Sequence, residues 1–184
     1  MTKREERDHK FRLLFSSQFF AEEELDAQIK NYFDASDYED NDEETDLPAS
    51  VKGLTDEDMK YLTEEVQKIV EKIPELDEKI NSRVQGWTTE RITKTDLTVI
   101  RLGLYEMLYD DRIPERVAIN EAVEIAKKYG GPASGAFVNG LLARITAPED
   151  TLKDVKKPVR KKAGEVKEKL EEDKHVHILI NKNK

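Results

Sequence analysis

The most constraining feature of this chain is the spacing of apolar side chains over its first 147 residues. They recur every three or four positions, the period that places them on one face of an α-helix. The alternation of apolar and polar residues that is typical of a strand does not occur before residue 174. The sequence therefore predicts an all-α fold. One such stripe comprises Met59, Leu62, Val66, Ile69 and Ile73.

Capping and helix-breaking residues divide this pattern into about seven predicted helices. Thr55 is a suitable N-cap for the third helix, and Thr95 is a suitable N-cap for the fifth. Pro74 is expected to end the third helix, because proline inside a helix removes a hydrogen bond and clashes with the preceding turn. The first four helices are predicted over about 4–23, 24–33, 55–73 and 74–84.

Pro74 also separates the predicted helices into two groups. We therefore expect two small packed bundles, about 1–73 and 74–147, within one domain of residues 1–147. The segment 34–50 lacks apolar periodicity and repels itself, so it is predicted to be an acidic loop. Residues 148–184 are charge-rich and interrupted by proline and glycine, so they are predicted to be a charged and largely disordered C-terminal extension.

The clearest predicted helix pair lies in the segment 113–145. Pro114 suits a first helical turn, where its missing N–H leaves no bond unmade, and the helix should run to about residue 129. Gly130 is expected to stop it in a left-handed conformation, and Ser134 is a reasonable N-cap for the last helix.

Three residues are expected to hold helices together. Asparagine inside a helix usually has a hydrogen-bonding reason to be there, so Asn120 and Asn139 are interpreted as ties between helices. Trp87 is interpreted as buried between the two bundles, with an exposed interface anchor as the alternative.

Composition excludes several classes of protein. The chain contains no cysteine, which rules out disulfides, thiolate metal sites and a cysteine nucleophile. No segment approaches the roughly 18 consecutive apolar residues of a membrane span, and the N-terminus is charged, so a cytoplasmic location without membrane association is expected. His175 and His177 lack a third metal ligand, and no nucleophile accompanies His9. We therefore predict no cofactor, no metal and no catalytic activity.

Charge is distributed unevenly along the chain. The net charge is −9, and eight acids without a base occupy positions 34–46. Residues 1–12 instead hold five basic and three acidic side chains, and residues 148–184 hold 11 basic and 8 acidic ones. Phosphate affinity comes from Lys and Arg, so any nucleic-acid contact is expected at the basic ends of this acidic body.

The N-terminal basic residues have a helical spacing. Arg4, Arg7 and Lys10 recur every three residues with Lys3 beside them, so their charges should lie along one side of the first helix. Such an edge is suited to holding phosphates. The alternative is that Arg4 and Arg7 form ion pairs with nearby acids or with neighbouring helices.

Four segments of the sequence together resemble the NusB family of RNA-binding transcription antitermination factors. The strongest is VAINEAVEIAKKYG followed by FVNGLL, within 113–145. It is preceded in order by WTTERI at 87–92, Asp96 and IRLGLYEML at 100–108, and the arginine-containing start of helix one completes the match. The resemblance covers residues 3–147, and the extension departs from the family.

The resemblance implies roles for individual residues. The matching arginines of NusB proteins contact RNA, and an aromatic residue at the position of Phe137 lies at their RNA surface. From periodicity alone, Phe137 is predicted to be a core residue in register with Leu141, and the resemblance brings the core and RNA-surface interpretations near parity. Asp96 matches a position at which NusB proteins meet NusE, a small ribosomal protein, whereas taken alone it is an ordinary helix-start carboxylate.

The leading hypothesis is an RNA-binding antitermination factor. With NusE, it would recognise boxA-type single-stranded RNA in nascent transcripts, notably of ribosomal RNA operons, and join RNA polymerase, NusA and NusG in an antitermination complex. The alternative is an all-α protein-interaction or dimerisation module without RNA binding, which the acidic loop favours because it would repel phosphate.

Overall fold

The computed structural model describes residues 1–34, 51–83 and 88–148. These residues form α-helices and short 3-10 turns without a strand, which confirms the all-α prediction. Residues 1–147 make one compact unit. The six helices of the described part are α1 (Lys3–Ser17), α2 (Leu25–Asp34), α3 (Asp56–Arg83), α4 (Lys94–Tyr109), α5 (Glu115–Tyr129) and α6 (Ser134–Thr146).

The helices pack as two groups of three. Helices α1, α2 and α3 contact one another, and so do α4, α5 and α6. Helix α4 joins the groups because it also packs against α1 and α3, and its buried residues cover most of its circumference. An added Cβ at Gly103 would lie only 3.1 Å from the Cβ of Ala122 on α5 and 3.2 Å from Leu142 on α6, so a glycine here allows the close approach of three helices.

Pro74 does not end a helix as predicted. Helix α3 runs through it as one 28-residue helix, so the third and fourth predicted helices are a single element. The buried positions of α3 stay in phase across the proline, since Ile69 and Leu76 are two turns apart. Continuous burial therefore outweighs the roughly 3 kcal/mol that an interior proline costs a helix. The buried residues of α3 are Leu62, Val66, Ile69, Leu76 and Ile80.

Several predicted helix ends are displaced by a few residues. Helix α1 ends at Ser17 instead of about residue 23, and a 3-10 turn at Glu22–Glu24 follows. Thr93, and not Thr95, caps α4 by accepting a hydrogen bond from the Asp96 amide at 3.2 Å. The Thr55 cap of α3 is confirmed, since its hydroxyl accepts from the Asp58 amide at 3.1 Å.

The turn between α5 and α6 uses its glycine and serine differently from the prediction. Gly130 is extended, with φ −95° and ψ −174°, and so is not a left-handed stop. An added Cβ there would overlap the side chain of Ser134 and lie 2.6 Å from the carbonyl oxygen of Ala126. Ser134 is the first residue of α6, and its hydroxyl accepts a hydrogen bond from the Gly131 amide at 2.9 Å. Close approach, and not a positive φ, therefore makes glycine necessary at position 130.

One further prediction, on the two helical asparagines, is contradicted, and several others concern residues that the structure does not describe. Asn120 and Asn139 are both exposed, so the prediction that they tie helices together was wrong. Trp87, most of the acidic loop and the extension from 149 onward lie outside the described residues. None of the described helices is long and apolar enough to cross a bilayer.

Candidate nucleic-acid interface

The N-terminus of α1 is well defined by its cap. The Thr2 hydroxyl accepts a hydrogen bond from the Glu5 amide at 3.2 Å, and the Glu5 carboxylate accepts one from the Thr2 amide at 2.7 Å. This capping box starts the helix immediately before the basic residues. Lys3 and Arg4 are exposed in the first turn, and Lys3 forms a 2.7 Å ion pair with Glu6.

Arg7 is buried between two other helices. Its Nε lies 2.7 and 3.0 Å from the carboxylate oxygens of Glu106 on α4, and its Nη1 lies 3.4 Å from Glu121 on α5. The Arg7 side chain is 8% exposed. Burial raises the pKa of the Glu106 carboxyl, and Arg7 offsets part of this effect. The alternative prediction of an ion pair therefore describes Arg7 in this structure.

Lys10 is buried in the same way. Its Nζ lies 2.6 Å from Glu6 and 3.5 Å from Glu65 on α3. Burial by itself would raise the pKa of Glu6, but hydrogen bonds from Lys10, Lys3 and the Tyr61 hydroxyl outweigh it and lower the pKa to about 2. The predicted edge of four accessible charges is thus reduced to Lys3 and Arg4, because each buried cation meets an acid on another helix or one turn away.

Arg4 borders a pocket of about 200 Å³ between α1 and α5. Arg7 and Lys128 contribute the other positive charges, and Lys128 is 3.1 Å from the Asp8 carboxylate. The lining carries one more negative than positive charge, so this surface is not strongly electropositive. Its acidic residues are Glu5, Asp8, Glu121 and Glu124.

Asp96 and Phe137, which are 41 positions apart, line one pocket of about 520 Å³. The α5–α6 turn forms one wall, and Arg91 adds a cation that the sequence interpretation missed. Asp96 is 7% exposed, and its Oδ1 has no hydrogen-bond partner among the described residues. That oxygen is itself buried from solvent, so the missing donor is an energetic cost to the fold and not an acceptor displayed in the pocket.

Phe137 combines the two roles considered from the sequence. Its ring packs against the hydrophobic core yet remains partly exposed beside the pocket. It lies in the first turn of α6, which has no side-chain cap. Unpaired N–H groups and the helix dipole favour an anion at such a helix start.

The pocket beside Arg4 and the pocket of Asp96 and Phe137 are both lined by residues at the C-terminal end of α5. Lys128 lines the first pocket and Tyr129 lines the second, and both donate to the Asp8 carboxylate on α1. The Tyr129 hydroxyl is 2.8 Å from Asp8 Oδ1. The first turn of α1 and the start of α6 therefore border adjoining parts of one surface.

An exposed aromatic patch adjoins the start of α4. Phe19 and Phe20 are 55% and 44% exposed, and the Lys94 ammonium lies 4.1 Å from the centre of the Phe19 ring. The sequence interpretation placed both rings inside helix one and so missed their exposure. Helix α1 ends at Ser17, before both rings, and the side-chain amide of Gln18 donates a hydrogen bond to the Thr98 hydroxyl at 2.6 Å.

Comparisons with known proteins cover the same part of the chain. The sequence profile of the NusB family matches residues 4–147. Transcription antitermination protein NusB of Lachnoclostridium phytofermentans is 41% identical over 145 residues, which are 79% of this chain and 98% of that protein. The protein of the same name from Clostridium botulinum strain Kyoto is 37% identical over 145 residues, covering 79% and 99%. A solved structure of T. maritima NusB superposes with a TM-score of 0.64 at 29% identity, covering 83% of this chain and 98% of that one.

Proposed function

This chain belongs to the NusB family of transcription antitermination proteins, and we propose that it works by binding boxA-type single-stranded RNA in nascent transcripts together with NusE. The observation that carries the proposal is the shared pocket of Asp96 and Phe137. Asp96, which is proposed to bind the partner, and Phe137, which is proposed to bind RNA, line the same pocket. The family resemblance supplies the identities of NusE and boxA.

The proposed RNA contacts begin at α1. Lys3 and Arg4 are exposed and contact phosphates directly, while Arg7 and Lys10 hold the helix in place through their buried ion pairs. The partly exposed ring of Phe137 stacks on an unpaired base, the interaction by which proteins commonly recognise single-stranded RNA. Arg91 and the start of α6 add favourable electrostatics for the backbone of that nucleotide.

NusE is proposed to bind across the start of α4. Asp96 contributes the negative charge of its carboxylate to this contact surface, and Phe19 with Lys94 extends it. Exposed aromatic rings of this kind are common anchors in protein interfaces. The bound pair then joins RNA polymerase, NusA and NusG in the cytoplasm, without any bond being made or broken.

The charge of the molecule supports cooperative binding. With a net charge of −9 and acidic side chains around Arg4, the protein alone attracts RNA weakly. A basic partner bound beside Phe137 would complete the positive surface.

The test is the dissociation constant of a boxA-like RNA at two salt concentrations, with and without NusE. We expect measurable binding that NusE strengthens, and roughly a tenfold loss for Phe137→Ala, since one base stack contributes about 1–3 kcal/mol. Arg4→Gln should weaken binding and Asp96→Asn should weaken only the NusE-dependent part. Lys60→Gln on the exposed side of α3 is the matched control and should change nothing. If no RNA binding is detected at either salt concentration, with or without NusE, the proposal is refuted.

The second candidate is an interaction module that binds protein but not RNA. The mixed charge around Arg4 favours it, because Glu121 and Glu124 would repel phosphate. NusE binding that depends on Asp96, combined with no RNA binding by either protein or complex, would select this candidate.

A further inference from the structure

A third pocket lies on the other side of the first turn of α1. It has a volume of about 270 Å³ and is formed where α1 meets the α4–α5 loop. Lys3 and Arg7 contribute from α1, and Arg112 and Asp110 contribute from the loop. Arg7 is buried and already paired with Glu106 and Glu121, so Lys3 and Arg112 are the cations of this lining that a ligand can reach. Of the three pockets, this is the one whose lining has a net positive charge.

Arg112 is held in place before any ligand arrives. Its Nε and Nη2 each donate to the Asp110 carboxylate at 2.8 Å, and its backbone amide donates to Asp110 Oδ1 at 3.1 Å. Besides the Asp110 carboxylate, the guanidinium contacts the Tyr61 hydroxyl. It has five N–H donors in a rigid plane, so donors remain for another acceptor. The Arg112 side chain is 70% exposed, and the Lys3 side chain is 69% exposed. Both charges are therefore accessible, and the order of the arginine lowers the entropy lost on binding.

The surroundings suit a sugar-phosphate group better than a free ion. Val117 and Ile113 provide apolar floor, and Val117 is 42% exposed. Helix α5 starts beside the pocket without a side-chain cap, which adds a favourable dipole to the cations. Arg7 lines both this pocket and the one next to Arg4, so the two adjoin across a single side chain.

We propose that Lys3 and Arg112, which line this pocket, bind a phosphodiester group of the RNA backbone and so extend the RNA path from Arg4 to the α4–α5 loop. The inference rests on the proposed function and adds Arg112 to the RNA-binding residues, although Arg112 is far from the N-terminus in sequence. The contact is with backbone and not with bases, so it raises affinity for single-stranded RNA regardless of sequence.

The test uses the full chain with NusE and two single-stranded RNAs of equal length, one boxA-like and one scrambled. Arg112→Gln should weaken the binding of both RNAs by the same factor, on the order of three- to tenfold. The slope of log affinity against log salt should become shallower by about 0.7, the value for one phosphate contact on a single strand. Lys3→Gln should weaken the binding of both RNAs in the same way. The affinity of the double variant should fall by less than the product of the two single-variant factors, because both residues contact one phosphate.

Arg116→Gln is the matched control, because Arg116 is exposed in the first turn of α5 but does not line the pocket. Thermal unfolding of each variant separates loss of binding from loss of fold. Unchanged affinity in Arg112→Gln, an equal loss in Arg116→Gln, or a loss confined to the boxA-like RNA would overturn the phosphate site while leaving the proposed function intact. Wild-type protein that binds neither RNA would overturn both.

Discussion

At the scale of single residues, the buried ion pairs of α1 determine which basic groups can meet a ligand. Arg7 and Lys10 have the same helical spacing as Arg4, but α4 and α3 place Glu106 and Glu65 against them. A charge buried with its partner stays paired, because separating the pair would leave the other charge unsolvated. The accessible cations are therefore those of the first turn.

The first prediction concerns Arg7. Arg7→Ala should lower the free energy of unfolding by about 3–5 kcal/mol, because it leaves the buried carboxylate of Glu106 without its partner. Urea unfolding followed by circular dichroism measures this. Arg7→Met combined with Glu106→Met should recover much of the loss, and a cost below about 1 kcal/mol for Arg7→Ala would contradict the burial argument. Any RNA-binding defect of an Arg7 variant must therefore be separated from its folding defect.

The second prediction concerns the pH dependence of stability at His9. Its Nδ1 lies 2.7 Å from the Tyr32 hydroxyl on α2, and burial, assisted by the nearby Arg12, lowers its pKa from 6.5 to about 4. Between these values the unfolded chain binds a proton that the folded chain does not. Stability contributed by neutral His9 is therefore complete above about pH 6.5 and is lost as the pH falls toward 4.

Wild type should accordingly lose about 1–2 kcal/mol more than His9→Gln when the pH is lowered from 7 to 5. Unfolding in urea at the two pH values measures the difference. Other acids titrate in both proteins and cancel in the comparison. Equal pH dependence of the two proteins would show that His9 does not titrate in this range.

The third prediction concerns Gly130. Gly130→Ala should cost about 1–3 kcal/mol, because the added methyl group overlaps Ser134 in a turn whose φ is otherwise ordinary. Gly131→Ala is the matched control, since nothing lies within 4 Å of its added Cβ, and it should change stability by less than about 0.5 kcal/mol. Thermal unfolding distinguishes them, and equal costs would point to backbone conformation instead of contact.

At the scale of elements, α3 shows how packing overrides a local signal. Proline predicts the end of a helix, but the apolar stripe of α3 keeps its period through Pro74, and both halves pack on the same core. The stripe was visible in the sequence, and its unbroken phase was the signal that argued for one helix. What the sequence lacked was the strength of the packing against α1 and α4, which is a property of the assembled fold.

The fourth prediction follows from the exposure of Pro74 within α3. Pro74→Ala should stabilise the protein by about 1–2 kcal/mol, because alanine restores the amide donor to the Val70 carbonyl and removes the ring. Glu78→Ala, one turn later on the exposed side, is the control and should have an effect below about 0.5 kcal/mol. A destabilised Pro74→Ala would mean that the packing of α3 needs the proline.

At the scale of the whole molecule, residues 1–147 contain the entire described core, and the family match ends at the same residue. The fifth prediction is that a chain ending at Ala147 unfolds within about 2 °C of the full chain. A chain ending at Ala133 should fail to fold, because it lacks the buried Leu142 and Ile145 of α6. Circular dichroism against temperature tests both. A large stability loss in the longer fragment would show that the extension contributes to the core.

By itself, the sequence determined the helical class, the positions of most helices and the family. These depend on local periodicity, caps and a motif, all of which lie within a few neighbouring residues. The tertiary structure decided which charges are accessible and which distant residues share a pocket. Arg7 faces an acid 99 positions away, Asp96 and Phe137 line one pocket from different helices, and Arg112 joins Lys3 only where the α4–α5 loop meets α1. Such contacts depend on how helices pack, and no spacing along one helix encodes them.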